Sequence, residues 1–211
     1  MKDIQALHAA LQGCADRARH GELTVREVLD ELEEGSYVFI CILFTLPFLQ
    51  PISLGPISMI GGFTFAVLGW QWARSHPTPW LPDRVARLPL NGRAWAGLLS
   101  VCDKILTRMA NWTKPRFPGL VNGSRGDLIA GVLVIIGGVL ISAPFPGIPF
   151  NNTLPALIIL FACVGRLERD GLMTIIAVGW IGASILYFSF LIALFLFAGK
   201  HVLDWIPSIL R

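Results

Sequence analysis

Apolar and polar positions in this chain fall into long blocks. Gly35 to Ala73, Leu128 to Gly165 and Gly171 to Gly199 each run without a formally charged side chain. Every one of these runs exceeds the roughly 20 apolar residues that cross a hydrocarbon core. The first is interrupted by Leu46-Pro47-Phe48-Leu49-Gln50-Pro51 and then by Gly55-Pro56. The second is interrupted by Ala143-Pro144-Phe145-Pro146-Gly147, then by Pro149, Asn151, Asn152 and Pro155. Proline lacks an amide donor and clashes with the preceding turn, so Pro47, Pro51 and Pro56, like Pro144, Pro146 and Pro155, exclude one straight helix.

Each broken run therefore predicts a helical hairpin. The arms of the first are Ser36–Leu46, about 16 Å, and Ile57–Ala73, about 25 Å. In the second, Leu128–Ser142 is the longer arm and Ala156–Gly165 the shorter. Arms of this length fit a re-entrant hairpin or a tilted pair within a core of about 30 Å. The reversed order of long and short arms is read as an inverted repeat, whose broken helices point to a binding site. Gly171–Gly199 predicts a C-terminal transmembrane helix, with a tail to residue 211.

Composition agrees with that reading: 54% of residues are hydrophobic, 15% are charged, and mean hydropathy is +0.64. The fold class expected is an all-α integral membrane protein, multi-pass. Five segments follow: 1–34 amphipathic helical, 35–73 the first hairpin, 74–127 a basic loop with an interfacial helix, 128–170 the second hairpin, and 171–211. Residues 2–19 place Ile4, Leu7, Leu11 and Cys14 on one helical face. Thr24-Val-Arg-Glu27 reads as a capping box opening a second short helix. Segment 74–127 is strongly basic and carries Trp80, Trp95 and Trp112, which places it at the cytoplasmic interface by the positive-inside rule and argues against a nucleic-acid role. Ala94–Ala110 reads as an interfacial helix.

Candidate chemistry is sparse. The four cysteines and four histidines have no metal spacing, so neither metal nor cofactor is expected. There is no nucleophile–base pairing, hence no enzyme. What remains is polar groups in the breaks and the charged Gly165-Arg166-Leu167-Glu168-Arg169-Asp170-Gly171 segment. Gln50, Ser53, Asn151 and Asn152 would line the breaks, or serve only to satisfy the broken backbone. Half-helix N-termini after Pro56 and Pro155 would offer unpaired amides to an anion. Arg74, Arg166 and Arg169 would hold an anionic group, with Glu168 and Asp170 pairing them or carrying a proton; an ordinary short loop is the alternative for this charged segment. The small residues Gly61, Gly62, Ala66, Gly69 and Ala73 predict a homodimer contact.

Thr24-Val-Arg-Glu-Val-Leu-Asp-Glu-Leu, Leu46-Pro-Phe-Leu-Gln-Pro-Ile-Ser-Leu-Gly-Pro-Ile-Ser, Pro79-Trp-Leu-Pro82, Leu154-Pro-Ala156 and Gly165-Arg-Leu-Glu-Arg-Asp-Gly-Leu172 together resemble the ExoD exopolysaccharide synthesis family over roughly residues 22 to 195. The resemblance implies a bacterial inner-membrane protein linked to exopolysaccharide production and supplies no catalytic residues. The broken hairpins are also similar in outline to those of DedA lipid scramblases. The function expected is translocation of an anionic substrate, small or linked to a lipid such as a polyprenyl phosphate, with membrane lipids as surroundings. The rival is a non-transporting assembly factor of a polysaccharide synthesis complex.

Overall fold

The structure, a computed structural model, describes residues 13, 23–32, 35–51, 54–87, 89–90, 108, 113–143 and 148–209. The amphipathic helix expected over 2–19 and the interfacial helix expected over 94–110 lie outside the described residues, positions 13 and 108 aside. The described chain is helical apart from a ladder of two-residue strands. There β1 (Leu23–Thr24) runs antiparallel to β2 (Pro89–Leu90), Leu23 opposite Leu90.

The capping box forms as its sequence requires. Thr24 N–H donates to Glu27 Oε2 at 2.8 Å and Glu27 N–H donates back to Thr24 Oγ1 at 3.4 Å. This opens α1 (Val25–Leu32), which buries Val28, Leu29 and Leu32. Helix α2 (Ser36–Thr45) tightens into a 3₁₀ turn at Leu46–Leu49, and α3 (Pro56–Ala73) returns. Between them Gly55 sits at φ +56°, ψ −129°, a region essentially reserved for glycine, and Pro56 starts α3 where its missing N–H costs nothing. A short α4 (Asp83–Ala86) follows.

Helix α5 (Gly123–Ile141) begins earlier than the expected arm because Arg125 and Asp127 extend it into its polar first turns. After the second break, α6 (Thr153–Leu167) starts two residues before Pro155. A first-turn proline forfeits no helical hydrogen bond, so Pro155 lies inside this helix rather than ahead of it. Finally α7 (Gly171–Ile209) runs on as one long helix.

Glycines set the central crossing. A Cβ on Gly138 would lie 2.6 Å from the Gly62 carbonyl oxygen, and one on Gly131 would lie 2.5 Å from that of Gly69. Residue 62 meets 138 and 69 meets 131, so α3 and α5 are antiparallel with their backbones in contact, as small residues allow. Gly62 and Gly69, which the sequence offered to a second copy, are thus used within the chain. Helix α6 is the buried one, with Ala156, Ile158, Ile159, Cys163 and Val164 inaccessible between α2, α5 and α7. Cys41 on α2 and Cys163 on α6 are both buried free thiols in this core.

Because α3 is antiparallel to α5, and each hairpin folds back on itself, α2 and α5 run the same way. Both breaks therefore lie at one end of the bundle. This corrects the inverted-repeat expectation: an inverted pair would carry its breaks at opposite ends. The two long arms, α3 and α5, are the neighbours at the central crossing.

Two described helices are long and apolar enough to cross a membrane by length and composition, Gly123–Ile141 and Gly171–Phe197. Helix α7 leaves Ile175, Val178, Leu186, Phe190 and Phe195 exposed, and α3 leaves Ile57, Ile60 and Phe63 exposed. An apolar surface this large on a monomer marks contact with lipid or another protein.

Candidate functional site

Polar chemistry is gathered at the two ends of the bundle. At one end the breaks are stitched together. Phe150 N–H donates to the Pro51 carbonyl at 3.3 Å, Thr153 Oγ1 donates to the Gln50 carbonyl at 2.8 Å, and Asn152 Nδ2 donates to Ser58 Oγ at 2.7 Å. Tyr187 of α7 adds a hydroxyl donated to the Pro149 carbonyl. Phe150 takes φ +61°, strained for a bulky side chain, in order to reach Pro51. Asn151, Asn152 and Ser58 are all buried, and Asn152 Oδ1 has no hydrogen-bond partner. An amide is symmetric to exchange of its oxygen and nitrogen at this level of geometry. If Ser58 donates to Oδ1 instead, Nδ2 becomes the orphan; one buried polar atom remains unsatisfied either way, at a cost of about 1–3 kcal/mol.

Unpaired amides for an anion are not what this end offers. Ile57 N–H bonds to Leu54 O, Ser58 N–H to Gly55 O, Leu154 N–H to Phe150 O and Ala156 N–H to Asn152 O. The turns preceding α3 and α6 supply carbonyls that cap these amides, which overturns the expectation of an open anion site at the half-helix starts.

The other end is ionic. Arg166, at the end of α6, directs Nε and Nη2 to Asp127 Oδ1 on α5, each at 2.8 Å. Trp72 Nε1 on α3 donates to the same oxygen at 3.2 Å, and the Trp72 ring stacks on Tyr37 of α2 with centroids 5.5 Å apart. Four helices are thus tied at one point. Asp170 is wholly buried and acts as the N-cap of α7: Oδ1 accepts from Leu172 N–H and Oδ2 from Lys114 N–H, both at 3.0 Å. Glu168 is buried and accepts from Thr113 Oγ1 at 3.1 Å. Arg169 turns the corner at φ +54° and is exposed. Arg74 is exposed and lies 4.3 Å from the Trp70 ring centre. Gly165 and Gly171 are required by contact, since a Cβ on either would come within 2.9 Å of Thr174 Oγ1 or 2.8 Å of Phe117. The charged segment is a load of corner geometry: it turns α6 into α7 and fastens both to 113–117.

The residues expected to form one site are therefore divided. Gln50, Asn151 and Asn152 stand at the break end, together with Pro51, Pro56 and Pro155; Pro47 lies exposed in the 3₁₀ turn. Arg74, Arg166, Glu168, Arg169 and Asp170 stand at the ionic end. The helical rise from Ser58 to Arg74 separates the two by about 24 Å. Ser53, Pro144 and Pro146 lie outside the described residues. Asp127, Trp72, Tyr37 and Ser58 take part in these contacts; Ser58 is readable in the sequence as a hydroxyl just after the first break and Trp72 as an interfacial aromatic, whereas Asp127 and Tyr37 carry no local signal of a contact. Asp127 could have been found as the one acidic residue at the edge of the second apolar run.

Among the described residues no group of three or more His, Cys, Asp or Glu side chains could hold a metal ion. The family model described as "Exopolysaccharide synthesis, ExoD" matches residues 7–190. Protein ExoD of Rhizobium meliloti (strain 1021) is 29% identical over 187 residues, which cover 89% of this chain and 78% of that relative. An uncharacterized protein of a Synechocystis strain is 27% identical over 152 residues, covering 72% of this chain and 70% of that protein. No solved structure matches. With most of its length matched by the family model, the chain belongs to the ExoD exopolysaccharide synthesis family.

Proposed function

We propose that this protein is a multi-pass protein of the bacterial inner membrane that translocates an anionic intermediate of exopolysaccharide assembly, lipid-linked or small, with the seam between the two breaks as its gate. The observation that carries the reading is the depth of the seam. Tyr187, which holds Pro149, lies sixteen positions past Gly171 in α7, about 24 Å along the helix, and about 20 Å short of the next charge at Lys200. If the charge-free part of α7 is taken as the apolar thickness, the breaks end inside the bilayer, as re-entrant hairpins do. Broken backbone at such depth survives only against protein or a water-filled path. The crossed hydrogen bonds meet that need in the closed form, and the orphan amide atom of Asn152 is the group a polar substrate would satisfy.

The ionic end supplies the collecting surface. Arg74, Lys114, Arg116, Arg125 and Arg169 are exposed there, at the cytoplasmic face by the positive-inside rule. Arg166 is assigned a structural role, since Asp127 already neutralises it.

The test is flux of a polyprenyl-phosphate-linked sugar in reconstituted vesicles. Asn152→Ala and Ser58→Ala lower the flux about tenfold or more, equivalent to 1.4 kcal/mol of barrier, and Asn152→Ala does so with the detergent melting temperature unchanged. Normal flux in both variants overturns the reading. Absence of flux in the wild-type protein, with exopolysaccharide still dependent on it, supports the assembly-factor alternative. Deleting residues 1–34 cannot separate the two readings, because Val28, Leu29 and Leu32 belong to the core.

A further inference from the structure

A cavity of about 160 Å³ lies between α1, the proline-rich segment 77–82 and α4, and none of the residues lining it belongs to the seam or to the Asp127–Arg166 pair. Its floor is apolar, from the buried Leu29, Leu81 and Ala86. Arg26, Asp30 and Thr78 form the polar rim, and Trp80 completes the wall. Apolar pockets with a few convergent polar groups are the usual form of small-ligand sites.

Trp80 is the residue that gives this cavity a chemistry. Its side chain is 67% exposed, yet its backbone is held on both sides by one side chain. Trp80 N–H donates to Gln71 Oε1 at 2.6 Å, and Gln71 Nε2 donates to the Trp80 carbonyl at 3.3 Å. The neighbouring Thr78 carbonyl accepts from the buried Tyr37 hydroxyl at 3.2 Å. A large aromatic face is thus presented to solvent on a fixed backbone, so little ordering entropy is lost when something covers it.

We infer that this cavity binds a neutral hexopyranose. One apolar face of such a ring, with its C–H groups, covers the indole. Its hydroxyls find a carboxylate acceptor in Asp30 and a guanidinium donor in Arg26, both charge-assisted and hence the stronger kind of hydrogen bond. The ion pair of Arg26 with Asp83 spans 3.4 Å between exposed groups and leaves the guanidinium able to donate elsewhere. Lining charges settle the class of ligand: one positive and one negative side chain give no net attraction to a phosphate. A single indole is likewise not the cage of several aromatics that recognises quaternary ammonium ligands. The inference does not depend on translocation.

The experiment is saturation-transfer NMR on the full chain in a sugar-free detergent, with methyl α-D-glucopyranoside and methyl α-D-galactopyranoside as probes and D-glucuronate and inorganic phosphate as anionic arms. The neutral glycosides bind with Kd on the order of 1 mM, as a contact of this size allows. Trp80→Ala weakens them about tenfold or more, Trp80→Phe retains a stacking face and part of the affinity, and Trp70→Ala, outside the cavity, leaves them unchanged. If Trp80→Ala does not fold, Asp30→Asn, an exposed rim substitution, supplies the loss instead. Three results overturn the inference: no glycoside signal from the wild-type protein, equal binding by wild type and the folded Trp80 or Asp30 variants, or phosphate bound in preference. Weaker partitioning of Trp80→Ala into vesicles, with no effect on glycosides, also overturns it and makes Trp80 an interfacial anchor.

Discussion

The two ends of the helical bundle solve the same problem with different groups. At the break end no charged side chain is present in either hairpin, and the interrupted backbone is joined by neutral hydrogen bonds among Gln50, Pro51, Ser58, Phe150, Asn152 and Thr153. At the ionic end Asp127, Arg166 and Trp72 join the same helices through a partly exposed charge pair, with both side chains about one-fifth accessible. A charge that keeps contact with water is cheap to maintain, whereas one sunk in hydrocarbon is not. The difference is the one the proposed placement requires, with water at the ionic end and an apolar medium at the seam.

The largest test of that comparison places one clash at either end. Gly138→Leu drives a side chain into the Gly62 backbone near the seam, and Gly131→Leu does the same against Gly69 and Ala73 near the ion pair. Each is expected to cost about 3 kcal/mol or more, because backbone cannot yield as a side-chain tip does. Equal stability of either variant and the wild type in a detergent unfolding titration would show that the helices are not in contact as described.

Next in size is the buried N-cap. Asp170→Ala leaves the amides of Lys114 and Leu172 without their acceptor and is expected to lower stability by about 2–3 kcal/mol; Asp170→Asn keeps one acceptor and loses less. A proton-carrying Asp170 would instead spare stability in Asp170→Asn while abolishing transport, so measuring both properties on that one variant decides its role.

The ion pair comes third and is where salt separates the ends. A double-mutant cycle on Asp127→Ala and Arg166→Ala is expected to give a coupling of about 1–2 kcal/mol at low salt, discounted for partial exposure, and to shrink as salt rises through about 0.5 M. The corresponding cycle on Asn152 and Ser58 has no charge in it and should not move with salt.

Much of this comparison was readable in the residues, and the unreadable part has a physical reason. Proline acts through its own covalent geometry, so the breaks at Pro47–Pro56 and before Asn151 were visible without a fold. Glu27 and Thr24 are three residues apart, and their capping box was equally local. By contrast Arg166 finds Asp127 thirty-nine positions away, and Asn152 finds Ser58 ninety-four positions away. Those pairings join α6 to α5 and to α3, so they depend on how three helices pack, including the close approach of α3 and α5 at four glycines, and no local spacing announces them. Glycines on one face were visible, but the same pattern serves a second chain or a second helix. The arginines next to the second break in sequence were assigned to one site with it; the length of α6 puts them at the far end.

The smallest expected change in stability carries the most information about the seam. Asn152→Ala removes the bond to Ser58 Oγ, worth about 1 kcal/mol net, but it also removes the buried atom that has no partner, and the two terms nearly offset each other. A shape-matched Asn152→Leu goes further, since replacing polar atoms by apolar ones in dry surroundings is close to neutral or stabilising. An amide kept only to satisfy broken backbone would behave otherwise: its loss would strand several main-chain groups and lower the melting temperature sharply. The amides of Ile57, Ser58, Phe150, Leu154 and Ala156 at the seam are already paired with carbonyls, so that outcome is not expected. Thermal unfolding of Asn152→Leu in detergent, set beside its flux in vesicles, distinguishes the cases. Unchanged or raised stability with lost flux assigns Asn152 to the substrate path, while a fall in both would make the seam a structural joint like the ionic end.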